Sequence, residues 1–358
     1  MAYTEIGGVS IRGIACCLPD NKIETRSHYE RFGQEKVDKF ITKTGIESNY
    51  ISTPNQCASD LAFEAADKLI NELGWDRNSI NGLLFFTQSP DYRKPSTACI
   101  LQHRLDLPTN SVAFDVNLGC SSFVYGLWVC SQLMAGSDIN RMLLLIGDNQ
   151  TKYISPYDHS ATMLMTDAGS VIAMEKTPNV EDVFRFQLMT DGSKFKSIYI
   201  PAGASRNKYT ATEERTDKYG DGILKSDYDH HMNGLDVFEF TISKVPKTIK
   251  EYLKRVSLTE KDFDYLVLHQ ANKAIIEKIA HSVKFPLDKT PINIDRFGNS
   301  NGSSIPLLIV DKLQKREMNR KLRLLVCGYG IGLSWGVADI FLDKPLILPL
   351  IFSNFIAE

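Results

Sequence analysis

The chain has 358 residues, 43% of them hydrophobic and 23% charged, enough to bury a substantial core and too many for one simple small domain. Its 41 Lys+Arg against 43 Asp+Glu give a formal net charge of -2, which offers no field for a nucleic acid or an anionic membrane surface. No run approaches the roughly 20 apolar residues of a membrane span, and the opening MAYTEIGGVSIRGIACCLPD lacks the basic-then-apolar order of a secretory signal, so a cytoplasmic protein is expected.

Apolar residues at helical spacing predict a first helix over Ser59–Leu73. Two short runs rich in β-branched and aromatic types follow, Leu83–Gln88 and Ser111–Val116, as in strands buried on both faces. A helix is expected over Ser122–Ala135 and a strand over Met142–Gly147. Residues 200–231 are polar with few apolar positions and read as a long surface excursion. Helices over Phe238–Leu253 and Asn272–Val283 then alternate with strands over Tyr265–His269 and Leu322–Cys327. The alternation predicts an α/β protein with a largely parallel sheet. DVNLGCSS at 115–122 and DRFGNSNGSS at 295–304 are both Gly-then-polar turns between a strand and an apolar helix, which suggests two related halves.

Seven cysteines (16, 17, 57, 99, 120, 130 and 327) include no CxxC pair and no His cluster of zinc-site spacing, so reduced thiols and no metal are expected. Cys120 stands apart. At a helix start, unpaired N–H groups and the macrodipole favour the thiolate, so this residue is either a nucleophile or a small packing group at a strand-to-helix junction. His269 ends an apolar strand in LVLHQAN, where α/β sheets open into clefts; the lesser alternative is a histidine that caps the next helix. Asn299 lies in FGNSNGSS, whose Gly-Asn and Asn-Gly pairs also mark ordinary turns. In CGYGIGLSWG, alternate glycines after a strand expose backbone N–H groups suited to an oxyanion, and the spacing is not that of a dinucleotide loop.

Taken together and in this order, these clusters resemble the thiolase-fold condensing enzymes, specifically the 3-oxoacyl-acyl-carrier-protein synthase III family. TGI at 44–46, PDY at 90–92 with PSTA at 95–98, NLGCSS at 117–122, DAG at 167–169, MNG at 232–234 with Val237-Phe238, HQAN, FGNS and GYGIGLSWG carry the resemblance over nearly the whole chain. It implies a thiolase fold: two similar halves, 1–178 with the nucleophilic cysteine and 179–342 with His and Asn, forming a five-layered αβαβα sandwich, followed by an apolar extension, 343–358. It implies an acyltransferase in which Cys120 takes an acyl group from a thioester. A malonyl-type thioester would then lose carbon dioxide and attack that group, giving a 3-oxoacyl thioester. His269 and Asn299 would stabilise the enolate charge, and backbone N–H groups of Cys120 and Ile331 the other oxyanion. Met232, Gly234, Phe238, Ala271 and Asn272 would contact substrate. Lys94, before Pro95, would enter the acyl pocket of a partner subunit in a homodimer. Acyl-coenzyme A or acyl-carrier-protein thioesters are the implied substrates, with no cofactor.

The chain also departs from the family pattern. Glu47 follows TGI where an arginine commonly helps to hold coenzyme A, and Glu239 and Ala274 stand at two basic docking positions, with Lys273 adjacent. These changes suggest a role in specialised rather than housekeeping fatty-acid metabolism, and Lys94 hints at a polar acyl group. Two alternatives remain: transfer from Cys120 to an alcohol or amine acceptor without decarboxylation, and an inactive scaffold subunit. Hydroxymethylglutaryl-coenzyme A synthase shares the fold but needs a glutamate base where this chain has Gln88. The tail DKPLILPLIFSNFIAE is expected to pack on a dimer surface or to roof a pocket.

Overall fold

The computed structural model describes residues 2–218, 220, 222–314 and 320–357. Met1 of the expected first half, Tyr219 and Asp221 of the expected excursion, residues 315–319 and Glu358 of the expected extension lie outside the described residues.

The chain begins with β1 (Ala2–Ile6), β2 (Val9–Pro19), β3 (Lys22–Glu24), α1 (Tyr29–Phe32), α2 (Gln34–Thr44) and β4 (Ser48–Tyr50). It continues through α3 (Ala58–Leu73), β5 (Gly82–Phe86), α4 (Thr97–Arg104), β6 (Val112–Val116), α5 (Ser122–Ala135), β7 (Arg141–Asp148), α6 (His159–Leu164) and β8 (Ala168–Lys176). The second part holds β9 (Phe184–Thr190), β10 (Ile198–Tyr199), β11 (His231–Met232), α7 (Gly234–Val256), β12 (Tyr265–Leu268) and α8 (Lys273–Ser282). It closes with α9 (Ile294–Phe297), α10 (Ser304–Leu313), β13 (Leu322–Gly330), β14 (Ser334–Leu342), β15 (Leu346–Ile347) and β16 (Ile351–Ser353).

Two sheets carry the fold. One runs β15-β2-β8-β7-β5-β6, with β16 also on β2; the other runs β1-β9-β14-β13-β12. Helices α5 and α10 lie between them, touching strands of both sheets, while α3 and α4 cover the outer face of the first sheet and α7 and α8 that of the second. The result is a five-layered αβαβα sandwich. Burial follows from the layering: α5 buries Phe123, Val124, Leu127, Cys130 and Met134, because sheets cover it on two sides. By contrast α7 is amphipathic and keeps a charged outer face.

The sheets are mixed, which corrects the expectation of a largely parallel one. β5 pairs in parallel with β6 and β7, but β8 runs antiparallel to both β2 and β7. In the second sheet β9 is antiparallel to β1 and to β14, and β13 turns back on β14 through Ile331–Leu333. An antiparallel return needs only a short turn and no crossover helix, so strand–helix alternation in the sequence does not reveal it.

Each end of the chain crosses to the other sheet, β1 to β9 and β15 and β16 to β2. The apolar tail therefore covers a strand edge instead of roofing a pocket. Gln56 Nε2 donates to the carbonyls of Ser353 (2.9 Å) and Phe355 (3.1 Å), and Phe355 stacks on Phe63. The polar excursion leaves and returns through the β10–β11 ribbon, held by an Arg215–Asp229 pair within it and by Lys225 on Asp158 at the head of α6 (2.6 Å).

Candidate active site

Strand β6 hands over to α5 through Asn117-Leu118-Gly119-Cys120-Ser121. The Ser122 N–H donates to Gly119 O (2.8 Å) and the Ser122 hydroxyl to Leu118 O (2.8 Å), which winds the chain into the helix just beyond the cysteine. A Cβ on Gly119 would stand 2.4 Å from Gln88 Oε1, 2.8 Å from Ile331 Cγ2 and 2.9 Å from Asn301 Oδ1, so only glycine fits where these elements converge. Gly330 is constrained likewise, since its Cβ would lie 2.7 Å from both Cβ and Sγ of Cys120. The β13–β14 turn thus presses directly on the sulfur.

The second half brings two further groups. His269 follows β12, its N–H donating to Cys327 O (3.0 Å), and its ring meets Tyr329 edge-on with centroids 5.4 Å apart. His269 Nδ1 lies 2.6 Å from Ser304 Oγ, which also accepts a long bond from the Gln270 N–H (3.4 Å). A serine hydrogen donated to Nδ1 would place the ring proton on Nε2. Asn299 precedes α10, buried, with its backbone bonded to Leu164 O (2.9 Å) and Thr166 N (2.9 Å). Its Oδ1 accepts the Asn301 N–H (2.9 Å), which leaves its NH2 as the group still able to donate, and the residue lines the cavity.

Asn301 connects the halves. Its Oδ1 accepts the Cys120 thiol hydrogen (2.9 Å) and its Nδ2 donates to Asp148 Oδ2 (2.8 Å). Asp148, at the end of β7, is buried and also accepts the Gln88 N–H (2.7 Å). Neither residue was singled out from the sequence. Asp148 carried the same signal as His269, a polar group closing an apolar strand; Asn301 sits at φ 51°, a left-handed conformation that Asn tolerates, in a segment that reads as a simple turn.

Burial governs the electrostatics. It pushes the Cys120 thiol up to about 12, with the Asp148 carboxylate adding to the rise and the backbone N–H groups of Ile331 and Cys120 opposing it. The expected thiolate at a helix start is therefore outweighed: Cys120 keeps some exposed surface, but its sulfur is enclosed. Burial likewise drives His269 down to about 3, so the ring is neutral. Asp148 is raised to about 7, again chiefly by burial.

Cys120, His269, Asn299 and Ile331 face one cavity of about 580 Å³. Met232, Gly234, Phe238, Ala271 and Asn272 line it too, as does Gln88. Lys94 is exposed and outside that lining. Glu47 and Lys273 lie together on a separate depression with Gly45, and Ala274 lines the main cavity with Lys43 and Thr44. No cluster able to hold a metal ion is found among the described residues, nor any helix long and apolar enough to cross a membrane.

Comparison with known proteins agrees with this arrangement. Residues 114–192 match the family 3-Oxoacyl-[acyl-carrier-protein (ACP)] synthase III, and residues 253–340 match its C-terminal counterpart. The beta-ketoacyl-[acyl-carrier-protein] synthase III of Caldanaerobacter subterraneus is 30% identical over 334 residues, covering 93% of this chain and 98% of its own. That of Koribacter versatilis is 31% identical over 298 residues, 83% of this chain and 86% of its own. The crystal structure of a 3-oxoacyl-(acyl-carrier protein) synthase from Burkholderia xenovorans superposes with a TM-score of 0.91 at 31% identity, over 98% of this chain and 99% of that one. On this fold, this site and these relatives, the chain belongs to the 3-oxoacyl-[acyl-carrier-protein] synthase III family of acyltransferases.

Proposed function

We propose that the chain loads an acyl group from a thioester onto Cys120 and condenses it with a malonyl-type thioester, releasing carbon dioxide and a 3-oxoacyl thioester. The observation that carries this reading is the convergence of one sulfur and two neutral donors, His269 and Asn299, on a single cavity. In the first step the Cys120 sulfur attacks the acyl carbonyl, the donor's C–S bond breaks, and its thiol leaves with the proton. The backbone N–H groups of Cys120 and Ile331, which already act on the sulfur, are placed for the oxyanion. In the second step the malonyl carboxylate leaves as carbon dioxide and its electron pair becomes an enolate, whose oxygen is held by His269 and Asn299. The enolate carbon bonds to the acyl carbon, and the C–S bond to Cys120 breaks.

Neutral donors suit this step. A buried cation would bind the malonyl carboxylate and hold it back, whereas a neutral imidazole and an amide favour the charge after it moves. The donor is an acyl-coenzyme A or acyl-carrier-protein thioester, and Glu47 and Ala274 in place of basic residues favour a specialised carrier. A second copy of the chain would bring the exposed Lys94 to the acyl pocket, in a cytoplasmic homodimer.

The test is intact-mass spectrometry with an acyl thioester, followed by addition of a malonyl thioester. The expected result is one acyl adduct, absent in Cys120→Ala, and a product heavier than the acyl donor by a two-carbon unit. A Cys120→Ala protein that still forms the carbon–carbon bond overturns the nucleophile. An acylated acceptor formed without malonyl donor supports plain acyl transfer, and an inert thiol supports the scaffold.

A further inference from the structure

The cavity contains a second polar region that the chemistry above leaves unused. His230, Gln150 and Ser160 line it together with Cys120, yet they come from three separate segments: the end of the polar excursion, the turn after β7, and the first turn of α6. Hydrogen bonds hold these segments together. The His230 N–H donates to Tyr153 O (2.6 Å), Lys225 Nζ donates to His230 O (3.3 Å) and pairs with Asp158 (2.6 Å), and Asp158 caps α6 through Ser160 N (3.1 Å). The His230 and Gln150 side chains remain unused by this network. His230 is 5% exposed, and its Nε2 is buried without a hydrogen-bond partner. Gln150 is also 5% exposed, and its amide makes no hydrogen bond to another described residue. Ser160 differs, because its hydroxyl is already given to Asp158 (2.7 Å).

A buried polar group without a partner costs about 1–3 kcal/mol, so the His230 ring nitrogen needs an explanation, and the unpaired Gln150 amide beside it on the same cavity wall needs a polar partner too. Packing supplies none, since leucine would fill the same space without the penalty. A ligand supplies one. This region is close to the sulfur: Gln150 follows by two residues the Asp148 that Asn301 links to Cys120, a backbone reach of about 7 Å. The rest of the wall is apolar, with Ile198, Leu164, Met165 and Met232. The charges behind it are paired, Lys225 with Asp158, and burial holds the His230 ring down to about 4, so it is neutral. An anionic acyl terminus would lose its hydration here, since the cation on the cavity lining, Lys43, is solvent-exposed and belongs to α2 rather than to this buried wall. An uncharged oxygen would meet an imidazole and a carboxamide, each able to donate and accept.

We propose that the acyl group loaded on Cys120 is short and carries an uncharged hydrogen-bonding oxygen, a hydroxyl or a keto group, seated against His230 and Gln150. This specificity rests on the acylation of Cys120 proposed above. A plain alkyl chain of the same length leaves both side chains unpaired, and sites built to bond a substrate oxygen reject the analogue lacking it.

The test uses three N-acetylcysteamine thioesters of nearly equal size, butyryl, 3-hydroxybutyryl and 3-oxobutyryl, so that coenzyme A or carrier binding does not enter. Rates of adduct formation on Cys120 are read by peptide-resolved mass spectrometry. At least one oxygen-bearing probe is expected to load about tenfold or more faster than butyryl, and which of the two is faster identifies hydroxyl or keto. In His230→Leu, and separately in Gln150→Leu, that ratio is expected to fall toward one, with folding checked by circular dichroism. Equal loading of butyryl and both oxygenated probes by the wild type overturns this inference and leaves the acyl-enzyme reading standing. So does a preference that survives both substitutions. Absence of any Cys120 adduct from all three probes overturns the acyl-enzyme reading and the inference with it.

Discussion

Two turns of nearly the same design face each other across the centre of the molecule. One, 117–122, opens α5; the other, 297–304, opens α10; and both helices lie between the sheets. They press closely, since a Cβ on Gly302 would come within 3.0 Å of Gly119 O and Ser122 Cβ. Yet the first presents a sulfur and the second two carboxamides. On the proposed mechanism a shared backbone device carries opposite chemistry, a group that would form a bond and groups that would hold a charge. The first turn would be needed in both steps of the reaction, the second chiefly where negative charge builds on the enolate. The sharpest way to break this comparison is to damage one turn and measure both steps.

On the proposed mechanism Asn299→Ala removes one donor to the enolate oxygen, so decarboxylation of a malonyl thioester is expected to fall about 10²–10³-fold. Acyl loading of Cys120, followed by intact mass, is expected to survive. If loading falls as far as decarboxylation, the division of labour between the turns is wrong. The pH dependence of alkylation probes the first turn alone. A thiol held near 12 is almost wholly protonated at neutral pH, so the rate of Cys120 alkylation by iodoacetamide is expected to climb about tenfold per pH unit up to pH 10 without levelling. Peptide mapping separates it from the exposed Cys99. A plateau near pH 7 would mean that the helix terminus outweighs burial after all.

Much of the fold was legible because its central strands are buried on both faces. MLLLIG reads as a strand from composition alone, and β7 extends it by one residue at each end. What escaped was pairing. Nothing in VSIRGIACCLP says that β2 meets β8 on one side and the distant tail on the other, because a strand's partners are set by the whole sheet. The site divides in the same way. Cys120 and His269 stand out locally, each a polar residue ending an apolar run or starting a helix. Asn301 and Asp148 do not, since their bonds exist only once two remote turns meet. His230 gave no signal either, lying in a polar excursion whose residues look solvated until the β10–β11 ribbon folds its end into the cavity.

Removing the link between the turns is expected to have a moderate effect. Asn301→Ala leaves the buried Asp148 carboxylate without its Nδ2 donor and places a non-glycine residue without local hydrogen-bonding capacity at positive φ. An unsatisfied buried acceptor costs about 1–3 kcal/mol, read as a lowered urea midpoint. An unchanged midpoint would reduce the bridge to a contact without weight.

The result most informative about the bridge comes from Asp148→Asn, where the readout is a pH dependence and not a loss at one pH. Burial raises Asp148 from 3.8 to about 7, so the folded protein favours its neutral form. A raised carboxyl contributes stability that is present at low pH and lost as pH climbs through the folded value. The wild type should therefore weaken between about pH 4 and pH 7, by on the order of 1 kcal/mol per unit. The introduced carboxamide cannot ionise, so the variant's urea midpoint should fall less over that window than the wild type's, the buried Asp167 and Asp91 carboxyls being common to both, and parallel curves would refute the assignment. The substitution also reverses the bridge. The new side chain presents an NH2 where the Asp148 carboxylate presented an oxygen, so the Asn301 amide must turn, giving its oxygen to that NH2 and its own NH2 to the Cys120 sulfur. That donor favours the thiolate, and alkylation of Cys120 at pH 8 should then be faster than in the wild type. The first turn's reactivity would thus be set by a carboxamide of the second, through a carboxylate that the sequence leaves inconspicuous.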